Sequence, residues 1–199
     1  MIYRILNSIK CFIIMTVYTN VKFSGRVKIM GKLPYFKLPN EGKLFFANNV
    51  TLNSDFKNSN TALTYRCKFV TGYFGEIHVG ENTMFNGACV VSYRKVTIGK
   101  NCQVASSTLI TDTDFHPVDS KEREKQVSGD KYSFDSVMKS EIVIGDNVWI
   151  GWNSTVLKGV VIGSNSIVAA GSVVLAGNYP PNAVIAGNPA RVVKRLCDE

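Results

Sequence analysis

The sequence predicts an all-β protein: a parallel β-helix solenoid of hexapeptide repeats, with one long excursion loop and short terminal helices. Three observations point there. An aliphatic residue recurs every six positions at Ile144, Ile150, Val156, Ile162, Val168 and Val174. Four residues after each stands a mostly small residue: Val148, Ser154, Val160, Ser166, Ser172 and Asn178. Val and Ile together number 39 against 20 for Leu and Ala, a β-branched bias that disfavours an all-helical fold.

No α-helix presents an aliphatic side chain to one face every six residues. In a parallel β-helix each hexad forms one short strand and one corner, and the aliphatic stacks on its counterpart in the next coil. The small residue fits the tight corner, and Gly145, Gly151 and Gly163 tolerate its backbone. The same beat occurs earlier at Val79, Phe85 and Val91, and again at Ile98, Val104 and Ile110, with one extra residue near Lys95. Weaker traces lie at Phe46 and Leu52 and around Gly25–Gly31. The plain alternative is a sandwich of alternating strands, which does not explain six aliphatics at one spacing.

The domain reading is then a segment 1–18, a solenoid over 19–186 and a C-terminal helix or tail over 187–199. At 199 residues the chain can bury a core without disulfides or metal. Hydrophobic residues make up 45% and charged residues 19%, which excludes a disordered chain, and no apolar run approaches the roughly 20 residues of a membrane span. Residues 1–18 place Ile2, Ile5, Leu6, Ile9 and Ile13 on one helical stripe. That stripe fits packing on the protein or a neighbouring subunit, a peripheral membrane contact, or a targeting segment.

The rhythm fails between His116 and Ile142. Residues 117–140 are charged and form no hexads, so they read as a functional excursion or a surface insertion. Five cysteines (Cys11, Cys67, Cys89, Cys102, Cys197) show no CxxC spacing and read as reduced, which fits a cytoplasmic protein. With only His78 and His116, a three-histidine metal site is not available, and no metal is expected. The formal charge of +8 attracts anions, but no nucleic-acid-binding signature accompanies it.

Within this frame, IVIGDNVWIGWNSTVLKGVVIGSNSIVAAGSVV followed by PPNAVIAGNPARVVKRL resembles the hexapeptide-repeat acyltransferases, and most of all the galactoside, maltose and polysaccharide O-acetyltransferases. The resemblance covers roughly residues 75–196 and is strongest in 142–196. It implies a left-handed β-helix, a homotrimer with clefts between subunits, and acetyl-CoA as donor to a saccharide acceptor. His116, in TDTDFHPVD, stands where the family carries its His-Pro general base. The chemistry fits: a sugar hydroxyl is too weak an acid to attack a thioester unaided, and an imidazole can take its proton and return it to the thiolate.

A base needs an orienter. Asp112 and Asp114, at i−4 and i−2, share a face if the segment is extended, and either holds the imidazole, contacts the acceptor, or simply forms a turn. Asn86 falls where such enzymes place an Asn near the acceptor. The resemblance carries coenzyme A contacts to Trp149, Trp152 and Ala170, and by charge to Arg191 and Lys194. Trp152 replaces a small residue, and LAGNYPPN lacks the Thr-Lys that relatives often carry before Pro-Pro. His78 reads as a surface residue. The acceptor is a capsular or lipopolysaccharide unit, with +8 suiting an acidic glycan of the sialic-acid type. The rivals are an antibiotic or amino-sugar acetyltransferase using the same base, and a non-catalytic β-helix binding module.

Overall fold

A computed structural model describes residues 2–39, 41–59 and 63–196; Cys197 and the end of the predicted C-terminal segment lie outside the described residues. The chain winds as a left-handed parallel β-helix with three faces. The first sheet stacks Val21–Phe23, Lys43–Phe46, Glu76–Val79, Lys95–Ile98, Ile142–Ile144, Val160–Ile162 and Gly177–Tyr179. The second stacks Val27–Gly31, Val50–Ser54, Met84–Asn86, Gln103–Val104, Trp149–Ile150, Ile167–Val168 and Ala183–Gly187. The third stacks Tyr35–Lys37, Lys68–Thr71, Cys89–Ser92, Leu109–Thr111, Thr155–Val156 and Val173–Val174. The chain visits the three faces in turn, so each strand pairs with the strand one coil on.

In the regular coils that partner is 18 residues away: Val143 lies beside Val161, Trp149 beside Ile167 and Thr155 beside Val173. The six hexad aliphatics from Ile144 to Val174 are all buried and stack in columns along the axis. Ser154, Ser166 and Ser172 are buried at corners, where their hydroxyls bond backbone groups such as the Ala169 and Pro180 carbonyls. Asn178 is exposed and does not follow that rule.

After the first coil, each corner between the first and second sheets carries a left-handed residue, and Asn supplies it. Asn49, Asn82, Asn101, Asn147, Asn165 and Asn182 all have φ between 55° and 60°. Their amides also form ladders: Asn49 donates to Asn82 at 2.8 Å, Asn82 to Asn101 at 3.1 Å and Asn147 to Asn165 at 3.1 Å.

Two excursions leave the solenoid, both at corners. Residues 55–67 leave between the second and third sheets, so Phe46 pairs with Val79, 33 residues on. Residues 112–141 leave between the third and first sheets, so Val96 pairs with Ile142, 46 residues on. The second contains a short helix.

The ends are closed differently from each other. Helix α1 (Ile2–Val17) lies across the first coil, and none of the helices among the described residues is long and apolar enough to cross a membrane. At the other end the expected C-terminal helix is replaced by a strand, Ala190–Arg195, antiparallel to Ala183–Gly187. The open edge of the second sheet offers unpaired backbone groups there. Adjacent Val192 and Val193 favour an extended strand over a helix turn, so the segment joins the sheet.

The early coils fill their core with aromatic rings. Phe69 is fully buried and lies 5.9 Å from Phe36, 5.1 Å from Phe46 and 5.4 Å from Phe85, centroid to centroid. Truncation leaves a void that three rings cannot close, so Phe69→Ala is expected to lower stability by about 3–5 kcal/mol in chemical denaturation.

Candidate active site

His116 is exposed on the excursion that follows Leu109–Thr111. The residue before it, Phe115, has φ 63°, uncommon for a bulky side chain and a local strain held by its surroundings. Its ring packs edge-on against Tyr93 at 6.3 Å, and Tyr93 also meets Phe134 at 6.0 Å. This aromatic cluster ties the excursion to the solenoid wall. Pro117 is buried directly after the histidine.

The imidazole is oriented by helix α2 (Ser120–Ser128). Asp119 caps this helix by accepting from the Glu122 N–H at 2.9 Å, and Gly129 ends it at φ 83°. Two side chains one turn apart reach back to the His-Pro segment. Arg123 donates to the Pro117 and Val118 carbonyls, each at 2.9 Å. Gln126 Oε1 lies 2.8 Å from His116 Nδ1. Gln126 Nε2 lies 3.3 Å from the Phe115 carbonyl and 3.1 Å from the Tyr132 hydroxyl. A carbonyl only accepts, so the amide nitrogen must face Phe115 and the amide oxygen must face His116. Nδ1 then carries the proton, and the lone pair sits on Nε2.

Neither aspartate takes that role. Asp112 is fully buried, and its carboxylate accepts from Ser92 Oγ at 2.8 Å, from the Tyr93 N–H at 2.6 Å and from the Arg94 N–H at 2.9 Å. Burial pushes its carboxyl up, against the pull of those donors. A carboxylate so occupied is not open to an acceptor sugar. Asp114 forms an ion pair with Lys158 at 2.7 Å, both about one-third exposed. The expected shared face fails because the strand ends at Thr111: Asp112 lies in a bend and turns inward to Ser92, while Asp114 faces Lys158.

Of the remaining predicted residues, Asn86, Trp152 and Ala170 lie at or beside a different corner, and Trp149, Arg191 and Lys194 lie on strands. Asn86 ends the strand Met84–Asn86, and its Oδ1 accepts from Asn53 Nδ2 at 3.0 Å. Trp152 and Ala170 occupy the same corner, between second and third sheets, one coil apart; the Trp152 carbonyl accepts from the Gly171 N–H at 2.8 Å. Trp149 lies on the adjoining sheet between Gln103 and Ile167. Its side chain and that of Trp152 are 52% and 49% exposed, so both rings are available to a ligand. Arg191 and Lys194 are exposed on the terminal antiparallel strand, and the Arg191 guanidinium donates to its neighbour's carbonyl at Ala190, 2.8 Å away. One chain thus sets His116 on the corner between third and first sheets, and the tryptophan pair with Asn86 beside the corner between second and third.

A cleft of about 770 Å³ opens at that second corner and over the third sheet. Tyr35, Arg66, Lys37 and Lys68 line it, the Arg66 guanidinium lying 4.7 Å above the Tyr35 ring, and none of its lining residues is acidic. Its size suits a small ligand. Sequence reading missed this cleft and Gln126. The signals were there: 33 residues separate Phe46 from Val79, far more than one coil, and the spacing Asp119, Glu122, Gly129 marks a capped helix.

His78 bonds Glu76 at 3.0 Å and stacks on Phe45 at 4.6 Å, away from His116 in the sequence and the fold. Among the described residues no three His, Cys, Asp or Glu side chains converge as metal ligands, and Cys11, Cys67, Cys89 and Cys102 are free thiols, each pushed up in pKa by burial.

With this geometry in hand, the comparisons with known proteins fall into line. Residues 141–176 match the family model described as bacterial transferase hexapeptide (six repeats). The chain is 39% identical over 127 residues to the galactoside O-acetyltransferase of Escherichia coli (strain K12), covering 63% of this chain and 57% of that protein. The crystal structure of a hexapeptide-repeat-containing acetyltransferase from Vibrio cholerae superposes with a TM-score of 0.55 at 32% identity, over 65% of this chain and 68% of that one. A galactoside acetyltransferase in complex with coenzyme A superposes with a TM-score of 0.54 at 27% identity, over 88% and 66%. The chain belongs to the hexapeptide-repeat acyltransferase family. It spans less than two thirds of the length of the curated relatives it matches, 57% and 62% for the Escherichia coli protein and a Saccharomyces cerevisiae putative acetyltransferase.

The two aspartates separate cleanly in a stability experiment. Asp112→Asn leaves three donors competing for one amide oxygen and is expected to cost about 1–3 kcal/mol in urea unfolding. Asp114→Asn breaks only a part-exposed pair and is expected to cost less than about 1 kcal/mol.

Proposed function

We propose that the protein is an acetyl-CoA-dependent O-acetyltransferase acting on a saccharide hydroxyl, with His116 as general base. The observation that carries the reading is the 2.8 Å contact between Gln126 Oε1 and His116 Nδ1, which leaves a basic Nε2 on an exposed ring. His116 Nε2 takes the hydroxyl proton as the sugar oxygen bonds to the acetyl carbonyl carbon. It returns that proton to sulfur as the carbon–sulfur bond breaks, so the base is regenerated and no acyl-enzyme forms. Gln126 acts as a positioning residue, holding the tautomer this step needs. The relatives' names, galactoside O-acetyltransferase and galactoside acetyltransferase with coenzyme A, support the donor and the acceptor class.

Trp149, Trp152 and Ala170 provide an exposed, partly aromatic corner suited to the pantetheine arm, and Arg191 and Lys194 supply charge for the phosphates. Since one chain holds His116 and this corner apart, the working site lies between copies, in a homotrimer. Lys37, Arg66 and Lys68 in an acid-free cleft support an acidic glycan as acceptor. The free thiols support a reducing, cytoplasmic setting.

The test is coenzyme A thiol release from acetyl-CoA with neutral and sialylated oligosaccharides. Acceptor-dependent release that falls roughly 10²–10⁴-fold in His116→Ala is expected. Gln126→Ala, which removes one hydrogen bond of about 1.5 kcal/mol, is expected to lower kcat about tenfold with the KM for acetyl-CoA unchanged. Release with amines or antibiotics alone would replace the saccharide by those acceptors. Absence of acetyl-CoA binding would leave a binding module.

A further inference from the structure

Helix α1 is docked the wrong way round for a helix that serves only its own core. An amphipathic helix ordinarily buries its apolar face. Here the buried side is largely polar. The Asn7 amide bridges the free edge of the strand Val27–Gly31, donating to the Val27 carbonyl at 2.8 Å and accepting from the Ile29 N–H at 2.6 Å. Lys10 Nζ donates to the Gly31 carbonyl at 2.6 Å, and among the described side chains of the helix only Ile14 is a buried apolar anchor. The side chain of Asn7 thus takes the place of a missing strand on an open sheet edge.

The opposite face carries Ile5, Leu6, Ile9, Phe12 and Ile13, a single stripe at i, i+1, i+4, i+7 and i+8, exposed by 42–67%. None of the described residues covers it. Beside it, Arg4, Arg26 and Lys28 surround a groove of about 320 Å³. Charge is distributed to match. Of the 23 Lys and Arg and 15 Asp and Glu in the chain, seven cations and no carboxylate fall in the first forty residues. That region alone carries +7 of the net +8, and the first acidic residue is Glu41.

We propose that this end of the solenoid seats on an anionic phospholipid bilayer, the α1 stripe entering the acyl boundary while Arg4, Arg26 and Lys28 hold lipid phosphates. An apolar stripe rimmed by cations is the pattern of an interfacial helix, and anionic headgroups supply the counter-charge. A second copy on the same face would instead bring two sets of seven cations together with no carboxylate from either segment between them. The inference is independent of the reaction.

The full chain would be sedimented with vesicles of phosphatidylcholine alone or mixed with phosphatidylglycerol, at low and high salt. The expected result is pelleting with the anionic vesicles, weakened by salt, and at least tenfold weaker partitioning for Ile9→Glu/Phe12→Glu. Both side chains are exposed, so the variant keeps the wild-type circular dichroism spectrum. Arg26→Ala/Lys28→Ala is expected to reduce binding and its salt dependence. No vesicle binding by the wild type, or equal binding by wild type and Ile9→Glu/Phe12→Glu, overturns the proposal. So does light scattering that shows Ile9→Glu/Phe12→Glu breaking an oligomer while the wild type ignores vesicles; the stripe would then be an interface between copies.

Discussion

Parallel register governs this molecule. Each backbone group in a coil bonds to the equivalent group one coil on, so side chains at equivalent positions stack in columns. The aliphatic columns, the asparagine ladder and the corner serines all follow from that single condition. An extra residue inside a strand would turn every later side chain to the wrong face. Insertions are therefore confined to corners, where no ladder is broken. The excursions at 55–67 and 112–141 both obey this, and both contribute to the candidate site.

The same condition explains which features could be read from the sequence. Ile144 to Val174 show the fold directly because each coil repeats the same steric demand, and repetition is visible without coordinates. The early coils are harder to read. Their columns are filled by Phe36, Phe46, Phe69 and Phe85, and an excursion separates Leu52 from its partner Phe85. The His-Pro context singles out His116 in the sequence, but nothing there pairs it with Gln126. The pairing with Gln126 spans ten residues through a helix whose docking depends on the Tyr93, Phe115 and Phe134 rings, and no periodicity encodes it. The C-terminal segment illustrates the opposite error. It reads as a helix or tail in isolation, and the open edge beside Ala183–Gly187 makes residues 190–195 a strand instead.

Asp112 shows how a residue four positions from the histidine can matter without touching it. Its carboxylate binds the Ser92 hydroxyl and the Tyr93 and Arg94 amides, fixing the turn that presents the Tyr93 ring. That ring packs against Phe115, whose left-handed backbone delivers His116 to Gln126. The order of contacts runs from a buried polar anchor, through an aromatic contact, to the exposed His116 ring. A buried carboxylate with three donors suits the anchor; a half-buried amide with one oxygen and one nitrogen to place suits the contact with His116 Nδ1.

A solenoid also has two ends, and an open parallel sheet edge invites pairing with anything extended. At the C-terminal end the chain solves this with its own backbone, adding Ala190–Arg195 as an antiparallel strand. At the N-terminal end it uses side chains, with Asn7 and Lys10 meeting the edge groups of Val27–Gly31. The second solution spends the polar face of α1 on the solenoid and so leaves the apolar face outward; backbone capping would have had no such consequence. Along the third sheet, three strand spacings separate Tyr35–Lys37 in the first coil from Leu109–Thr111, which leads into His116. At about 4.8 Å per spacing, the strand that leads into His116 stands roughly 14 Å along the axis from the first coil. That distance is set by the number of coils between the capping helix and the excursion.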